Sequence, residues 1–349
     1  EKVEERKSMK KLIVLLCAVL LCGCTAKPAE TAPAEEPAKE ETPAETTETT
    51  GGAYKVGTGS VTSISGTDVA DGAGKVQFNT TYATLVTDAD GVIKYVTIDV
   101  AQNTANVEDG AEEITVPETS PTKKEKKEDY GMKGASGIGK EWYEQMAAFE
   151  EYATGKTVEE VLALPREESG KTTDEDLLTG CTIKMNDYLK AIEKAYNNAA
   201  EVEGVANVAA GSETGYSVKG KDSVQANTTM ATIATDADGK IVYSAFDVAQ
   251  NTAALNEDGT WTIAEETPTK KEKGDAYGMK GASAIGKEWF EQIAALEEYL
   301  NGKTLDEVTG MELVEAKSTD EDLLTGCTIK LTDYVAAAAK AAANNAAVK

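Results

Sequence analysis

The segment TDEDLLTGCTIK occurs at residues 173–184 and again, unchanged, at residues 319–330. Each copy carries hydroxyl and thiol groups in the order Thr-Gly-Cys-Thr. A helical pattern of apolar residues begins directly after each copy, and the backbone amides and dipole at a helix N-terminus stabilise a phosphate group. The last threonine of each copy, Thr182 and Thr328, is therefore a candidate for phosphate chemistry.

A structural role would explain part of the same pattern. The hydroxyl of Thr179 or Thr182 would cap the following helix, an interaction worth about 1 kcal/mol, and Gly180 would allow a tight turn. A cap, however, accepts Ser, Asp or Asn equally well. Residues 164–170 and 311–316 lie close by and differ freely between the copies, so capping alone does not account for two identical segments.

The two segments belong to an internal duplication. Residues 77–104 align without gaps with residues 225–252, and the motif YGMKGAS occurs once in each half. Each unit has the usual size of a domain. We therefore predict two similar domains, residues 51–204 and 205–349, and expect each to fold separately.

Each unit shows strand patterns first and helix patterns later. Residues 82–88 and 92–100 alternate as strands around the turn signal DADG. An apolar stripe at helical spacing follows; it comprises Ile138, Trp142, Met146 and Phe149. This order predicts an α+β fold, with a small antiparallel sheet and packed helices in each unit.

The composition excludes several classes of protein. A formal net charge of −26 argues against nucleic acid as a partner. The sequence contains no histidine, which excludes His-ligated haem, His-containing zinc or copper sites and Ser-His or Cys-His nucleophile systems. A hydrolase would need carboxylate pairs instead, and we predict neither a catalytic residue nor a metal site.

The N-terminal part of the chain carries the features of an exported lipoprotein. The apolar run at residues 12–21 follows two lysines and has the length of a signal-peptide core, too short to span a membrane. It ends in Leu-Cys-Gly-Cys, which resembles a lipobox, so a signal peptide is predicted at residues 1–24 and the lipid on Cys24. Residues 25–50 consist almost wholly of Ala, Glu, Pro, Thr and Lys, which predicts a disordered tether. We expect a lipid-anchored protein on the extracytoplasmic face of the cell membrane.

The Thr-Gly-Cys-Thr motif ahead of a helix resembles the Ser-Gly-Ala-Thr flavinylation motif of FMN-binding domains in the Rnf and Nqr redox complexes. In that family a flavin transferase joins FMN to the final threonine through a phosphoester, with FAD as the donor. The order of lipobox, tether and two repeats is similar to PplA-type lipoproteins of flavin-based extracellular electron transfer. The resemblance extends from Cys24 to about residue 340.

By position, this resemblance implies one FMN on Thr182 and one on Thr328, with Asp176 and Asp322 as the motif aspartates. The remaining motif residues are Thr179, Gly180, Cys181, Thr325, Gly326 and Cys327. The sequence departs from the family where threonine replaces serine and cysteine replaces alanine. It departs again where isoleucine follows the motif, at a position where a further hydroxyl residue is common.

Other side chains are candidates for contacts with a flavin ring. The amides that follow the predicted second strand of each hairpin would hydrogen-bond the polar edge of the ring, although turn formation explains them equally well; they are Gln102, Asn103, Gln250 and Asn251. Each YGMK loop offers an aromatic ring, a thioether and a cation for stacking, with ordinary packing as the alternative; these residues are Tyr130, Met132, Lys133, Tyr277, Met279 and Lys280.

The resemblance implies an electron carrier rather than an enzyme with its own substrate pocket, because the flavin performs the redox chemistry. Electrons would come from a membrane quinone oxidoreductase and leave to an external acceptor, and a flavin transferase would be required for maturation. The alternative is a non-catalytic surface lipoprotein that binds a small ligand or a cell-wall partner.

Overall fold

The computed structural model describes residues 53–70, 72–108 and 110–349. The predicted signal peptide, the predicted lipidation site at Cys24 and the predicted tether lie outside these residues. The described residues belong to one compact unit. Among them, no helix combines the length and apolar character needed to cross a membrane.

The predicted α+β fold is confirmed in the first repeat. Its antiparallel sheet has the order β3-β2-β1-β4 and is built from β1 (Tyr54–Ala70), β2 (Ala73–Thr87), β3 (Ile93–Glu108) and β4 (Ala200–Val202). Its helices are α1 (Lys123–Lys126), α2 (Trp142–Ala153), α3 (Val158–Leu162), α4 (Glu175–Leu178) and α5 (Asn186–Asn197).

The second repeat has the same plan. Its antiparallel sheet has the order β11-β5-β6-β7-β8, from β5 (Asn207–Lys219), β6 (Ser223–Thr235), β7 (Ile241–Leu255), β8 (Trp261–Ile263) and β11 (Ala346–Ala347). A small ribbon pairs β9 (Leu313–Val314) with β10 (Lys317–Ser318). Its helices are α6 (Lys270–Lys273), α7 (Trp289–Leu300), α8 (Leu305–Thr309), α9 (Glu321–Leu324) and α10 (Thr332–Ala343).

Each sheet has two buried faces. On one face of the first sheet, Leu85 and Ile98 pack against helices α2 and α5 in the core of that repeat. On the other face, Val76 and Phe78 share a hydrophobic cluster with Val224 of the second repeat. The two sheets therefore pack face to face, and the helices cover their outer faces.

The two repeats are related by an approximate two-fold axis. Thr84 and Thr232 occupy equivalent positions, and their hydroxyl oxygens lie 2.6 Å apart. Reciprocal ion pairs lie to either side, Lys194–Glu272 at 2.6 Å and Lys340–Glu125 at 3.2 Å. Such reciprocity is the property of an isologous interface, here formed within one chain.

The helix predicted from the apolar stripe starts later than Ile138. Helix α2 begins at Trp142, because the Glu141 carboxylate and the Glu144 side chain form a capping box at that point. Ile138 lies half-buried in the loop before it.

Candidate functional site

The Thr-Gly-Cys-Thr loop of the first repeat connects α4 to α5. Helix α4 is capped by Asp174, whose Oδ1 accepts a hydrogen bond from the Leu177 amide at 3.0 Å. The hydroxyl of Thr179 donates backward to the Asp176 carbonyl at 2.9 Å. Asp176 itself is exposed, so its carboxylate faces solvent at the edge of the loop.

The prediction that Thr179 or Thr182 caps the next helix is wrong, because the N-cap of α5 is Met185. Backbone contacts hold the chain between the loop and the helix in an extended path. Lys184 forms an isolated antiparallel β-bridge with Lys171, and the Met185 amide donates to the Gly170 carbonyl at 2.8 Å. These contacts delay the start of the helix until Asn186.

Thr182 is instead held by a glutamine on α2. Its backbone N–H donates to Gln145 Oε1 at 2.8 Å, and its hydroxyl donates to the same oxygen at 3.2 Å. Gln145 is buried, while Thr182 is half-buried. Both donors of Thr182 therefore point inward, and the lone pairs of its hydroxyl oxygen stay available.

Gln145 is fixed in turn by the loop that follows the YGMK motif. Its Nε2 donates to Ser136 Oγ at 2.9 Å and to the Lys140 carbonyl at 3.2 Å. This glutamine is a site residue that was not predicted from the sequence. The available signal was its presence at the same place in both repeats, inside the sequences KEWYEQ and KEWFEQ.

The second repeat reproduces the contacts of the threonine and the glutamine. Thr328 donates from its N–H and its hydroxyl to Gln292 Oε1, at 2.8 and 3.2 Å. Gln292 Nε2 donates to Ser283 Oγ at 3.0 Å. The Thr325 hydroxyl donates to the Asp322 carbonyl at 2.8 Å, and Asp322 is likewise exposed. The arrangement is thus built twice.

The glycine of each motif lets the loop lie directly on a helix. A Cβ at Gly180 would lie 2.7 Å from the Cβ of Ala148 on α2, and one at Gly326 would lie 2.6 Å from the Cβ of Ala295 on α7. The Lys140 ammonium lies 4.0 Å from the position of that added Cβ at Gly180. A half-buried lysine beside the loop favours a phosphate at this place.

The cysteine of each motif belongs to the core. In the described part of the chain, Cys181 and Cys327 are both free and buried. Burial raises the pKa of the Cys181 thiol to about 11, and its Sγ lies 3.9 Å from Met185 Sδ. Since the thiolate is the reactive form, neither cysteine is suited to redox chemistry.

We expect Cys181 and Cys327 to resist alkylation in the folded protein. Iodoacetamide at pH 8 should label them at least about 100-fold more slowly than in urea, since burial lowers both access and thiolate content. Peptide mapping by mass spectrometry measures the two sites separately. Equal labelling in the presence and absence of urea would contradict the buried placement.

The YGMK loop is anchored by a buried carboxylate. Glu141 accepts hydrogen bonds from the Met132 amide at 2.8 Å and the Lys133 amide at 2.9 Å. Tyr130 and Met132 pack against the core of their repeat, while Lys133 is exposed. The Lys123 ammonium lies 4.8 Å from the centroid of the Tyr130 ring.

The second YGMK loop has the same arrangement. Glu288 accepts from the Met279 and Lys280 amides at 2.8 and 3.0 Å. Tyr277 and Met279 pack against the second core, and the Lys270 ammonium lies 4.9 Å from the Tyr277 ring centroid. In both repeats the aromatic ring thus already has a cation on its face.

The prediction that the amide residues follow the end of a strand is wrong. Strand β3 continues to Glu108, so Gln102 and Asn103 lie within it. Asn103 is buried, and its Nδ2 donates to Thr214 Oγ1 in the opposite sheet at 3.1 Å. This partner allows a polar side chain to remain inside a strand.

Gln250 and Asn251 occupy the matching positions in β7, and Asn251 is also buried. The two asparagines therefore belong to the interface between the sheets and lie apart from the threonine loops.

Gln102 lines a cleft next to the first threonine loop. This open cleft has a volume of about 380 Å³, and its lining includes Gln102, Lys123, Lys184, Asn186 and Tyr188. Lys184 follows Thr182 by two positions in the chain, so the cleft adjoins the loop. Its lining combines lysine and amide residues with Asp187, while Thr182 itself does not line it.

Comparison with known proteins gives one short match. Over 40 residues the chain is 62% identical to a protein named chlorophenol reductase from Desulfitobacterium hafniense. The match covers 12% of this chain and 12% of that protein. No family model matches the chain, and no solved structure matches it.

Proposed function

We propose that this protein is an electron-transfer flavoprotein that carries one FMN on Thr182 and one on Thr328, each through a phosphoester. The observation that carries this proposal is the pair of identical threonine loops. In each loop the last threonine is half-buried, caps no helix, and has both of its donors held by a buried glutamine. A capping role therefore does not explain these residues.

The geometry of the threonine hydroxyl fits an attachment reaction. The Thr182 oxygen would form a bond to the FMN phosphorus of FAD, AMP would leave as the pyrophosphate bond breaks, and the hydroxyl proton would pass to solvent. After this step Thr182 has no hydroxyl proton to donate to Gln145. Its backbone N–H still donates at 2.8 Å, so the loop stays in place.

The charges near the loop also fit a phosphoester. Lys140 lies beside the loop, and Lys123 and Lys184 line the adjoining cleft. In a chain with a net charge of −26, these local cations would stabilise the anionic phosphate. Bound FMN would supply one- and two-electron chemistry, while the protein would hold it and keep it accessible.

A carrier role follows from this proposal. The protein would receive electrons from a membrane quinone oxidoreductase and deliver them to an external acceptor, while the lipid on Cys24 holds it at the extracytoplasmic face of the membrane. A flavin transferase would be its maturation partner. The short match to a protein named a reductase supports a redox role.

Single threonine variants test the two attachment sites separately. Thr182→Val removes the hydroxyl and keeps the shape of the side chain, so it should halve the flavin that stays bound after denaturation. Thr328→Val should do the same. The readout is flavin absorbance per chain in urea, after coexpression with a flavin transferase. Full flavin content in both variants would contradict the assignment.

Thr179→Val is the matched control. It also removes a threonine hydroxyl from the same loop, but that hydroxyl donates only to the Asp176 carbonyl at an exposed position. Its flavin content should equal that of the unmodified sequence. If the unmodified chain is colourless after denaturation, a non-catalytic surface lipoprotein becomes the better account.

A further inference from the structure

Among the buried equivalent positions at which the two repeats differ, one pair lies directly opposite an aspartate on the neighbouring strand. Strand β2 places Tyr82 there, and strand β6 places Met230 there; both are buried and share one cluster with Ala249. Because the repeats are related by an approximate two-fold axis, the surroundings of Tyr82 can be compared directly with those of Met230.

In the first half, the phenol group of Tyr82 sits against a carboxylate. Its hydroxyl lies 3.5 Å from Asp99 Oδ2, and Asp99 is buried. Asp99 Oδ1 accepts from the amides of Val100 and Lys124 at 2.7 and 3.0 Å. Burial, together with the nearby Asp99 charge, raises the pKa of Tyr82 well above its usual value. The phenol therefore remains protonated and able to donate.

In the second half, the equivalent carboxylate, Asp247, has no tyrosine opposite it. Asp247 Oδ1 accepts from the amides of Val248 and Lys271 at 2.7 and 3.1 Å, as Asp99 does. Met230 replaces the tyrosine and brings no hydroxyl. Asp247 is half-buried and lines an open cleft of about 290 Å³ between the repeats. The lining includes Ser60, Met230, Tyr243, Ala245, Asp247 and Lys271.

The groups around this cleft favour a neutral hydrogen-bond donor. The Lys271 ammonium is paired with Glu297 Oε1 at 2.6 Å. The Asp247 carboxylate lines the cleft beside the Thr269 hydroxyl, which donates to it, and it can accept a further hydrogen bond. Burial raises the pKa of Asp247, which reflects the cost of a charge at this place. A ligand hydroxyl that donates to the Asp247 carboxylate would reduce the cost of burying its charge.

We propose that this cleft binds a single-ring phenol, whose hydroxyl donates to Asp247 as the Tyr82 hydroxyl faces Asp99. The ring would pack against the thioether of Met230, a favourable contact for sulfur. The volume of about 290 Å³ lies just below the roughly 300–1,000 Å³ found for pockets of drug-sized ligands, which suits a ligand of a single ring. This site is separate from the threonine loops and does not depend on a bound flavin.

Titration of phenol into the full chain by isothermal calorimetry tests the proposal. One saturable site per chain is expected. Anisole, which has the ring but no hydroxyl proton to donate to the carboxylate, should bind at least about 10-fold more weakly, a difference of about 1.4 kcal/mol. Absence of saturable phenol binding, or equal binding of anisole, would overturn the proposal.

Two variants locate the site. Met230→Tyr should fill the cleft with the chain's own phenol and weaken phenol binding at least about 10-fold. Asp247→Asn keeps the volume and should reduce the preference for phenol over anisole, with circular dichroism as the check on folding. Unchanged phenol affinity in folded Met230→Tyr, or an unchanged preference for phenol over anisole in folded Asp247→Asn, would place the site elsewhere and contradict the proposal.

The reciprocal variant, Tyr82→Met, is expected to gain a binding site. Tyr82→Met removes the phenol that faces Asp99 and should open a matching cleft in the first half. The stoichiometry of phenol binding should then rise from one to two per folded chain. A stoichiometry that stays at one would contradict the internal comparison on which the proposal rests.

Discussion

Gly57→Ala is expected to lower the free energy of unfolding by about 3 kcal/mol or more. A Cβ at this position in β1 would lie 2.0 Å from the Ala195 carbonyl oxygen and 2.9 Å from Ala199 Cα. The first obstacle is a backbone atom in the last turn of α5 and the second a backbone atom just after the helix, so relief requires this end of the helix to move away from the sheet. Urea unfolding followed by circular dichroism measures the change.

Gly134→Ala is the matched control for this effect. Among the described residues, nothing lies within 4 Å of a Cβ built there, so the free energy of unfolding should change by less than about 1 kcal/mol. Gly211→Ala should behave like Gly57→Ala, because its Cβ would lie 2.3 Å from the Ala341 amide nitrogen of α10. Equal stability of Gly57→Ala and Gly134→Ala would contradict the close packing of helix on sheet.

An isolated repeat should not persist as a monomer. Residues 205–349 alone would expose the sheet face that carries Val224, Ala226 and Ala253, which the first repeat covers. Because the interface is nearly symmetric, we expect this fragment to form a homodimer. Separately produced halves should also combine when mixed. Analytical ultracentrifugation over a range of concentrations measures the association.

A fragment that stays monomeric at all concentrations and unfolds cooperatively would contradict this expectation. It would show that the sheet interface contributes little to stability and that each repeat folds separately, as the sequence alone predicts. The split chain therefore measures how much of the stability comes from contacts between the repeats.

The sequence predicted the elements within each repeat better than the contact between repeats. The alternation around DADG predicted the β2–β3 hairpin, and the apolar stripe predicted α2. Thr80, Thr84 and Asn103 are polar, however, and polar residues usually face solvent. They are buried because hydroxyl and amide partners exist in the structure, such as Thr232 for Thr84 and Thr214 for Asn103. Such long-range pairing is invisible in a local pattern.

In the site, too, the local sequence pattern was predictive and the long-range contacts were not. Repetition identified the Thr-Gly-Cys-Thr segments, but Gln145 lies 37 residues from Thr182 in the chain. Only the packing of α2 against the loop brings the two together. The capping prediction was wrong for a related reason, since the contact of Met185 with Gly170 delays the start of α5.

The intact mass of the matured chain tests the central claim most directly. After coexpression with a flavin transferase, the mass measured under denaturing conditions should exceed that of the processed, lipidated polypeptide by two FMN groups, each less one water. The Thr182→Val, Thr328→Val double variant should show no such excess. A matured chain without added mass, or a double variant that retains it, would contradict covalent flavin at these two threonines.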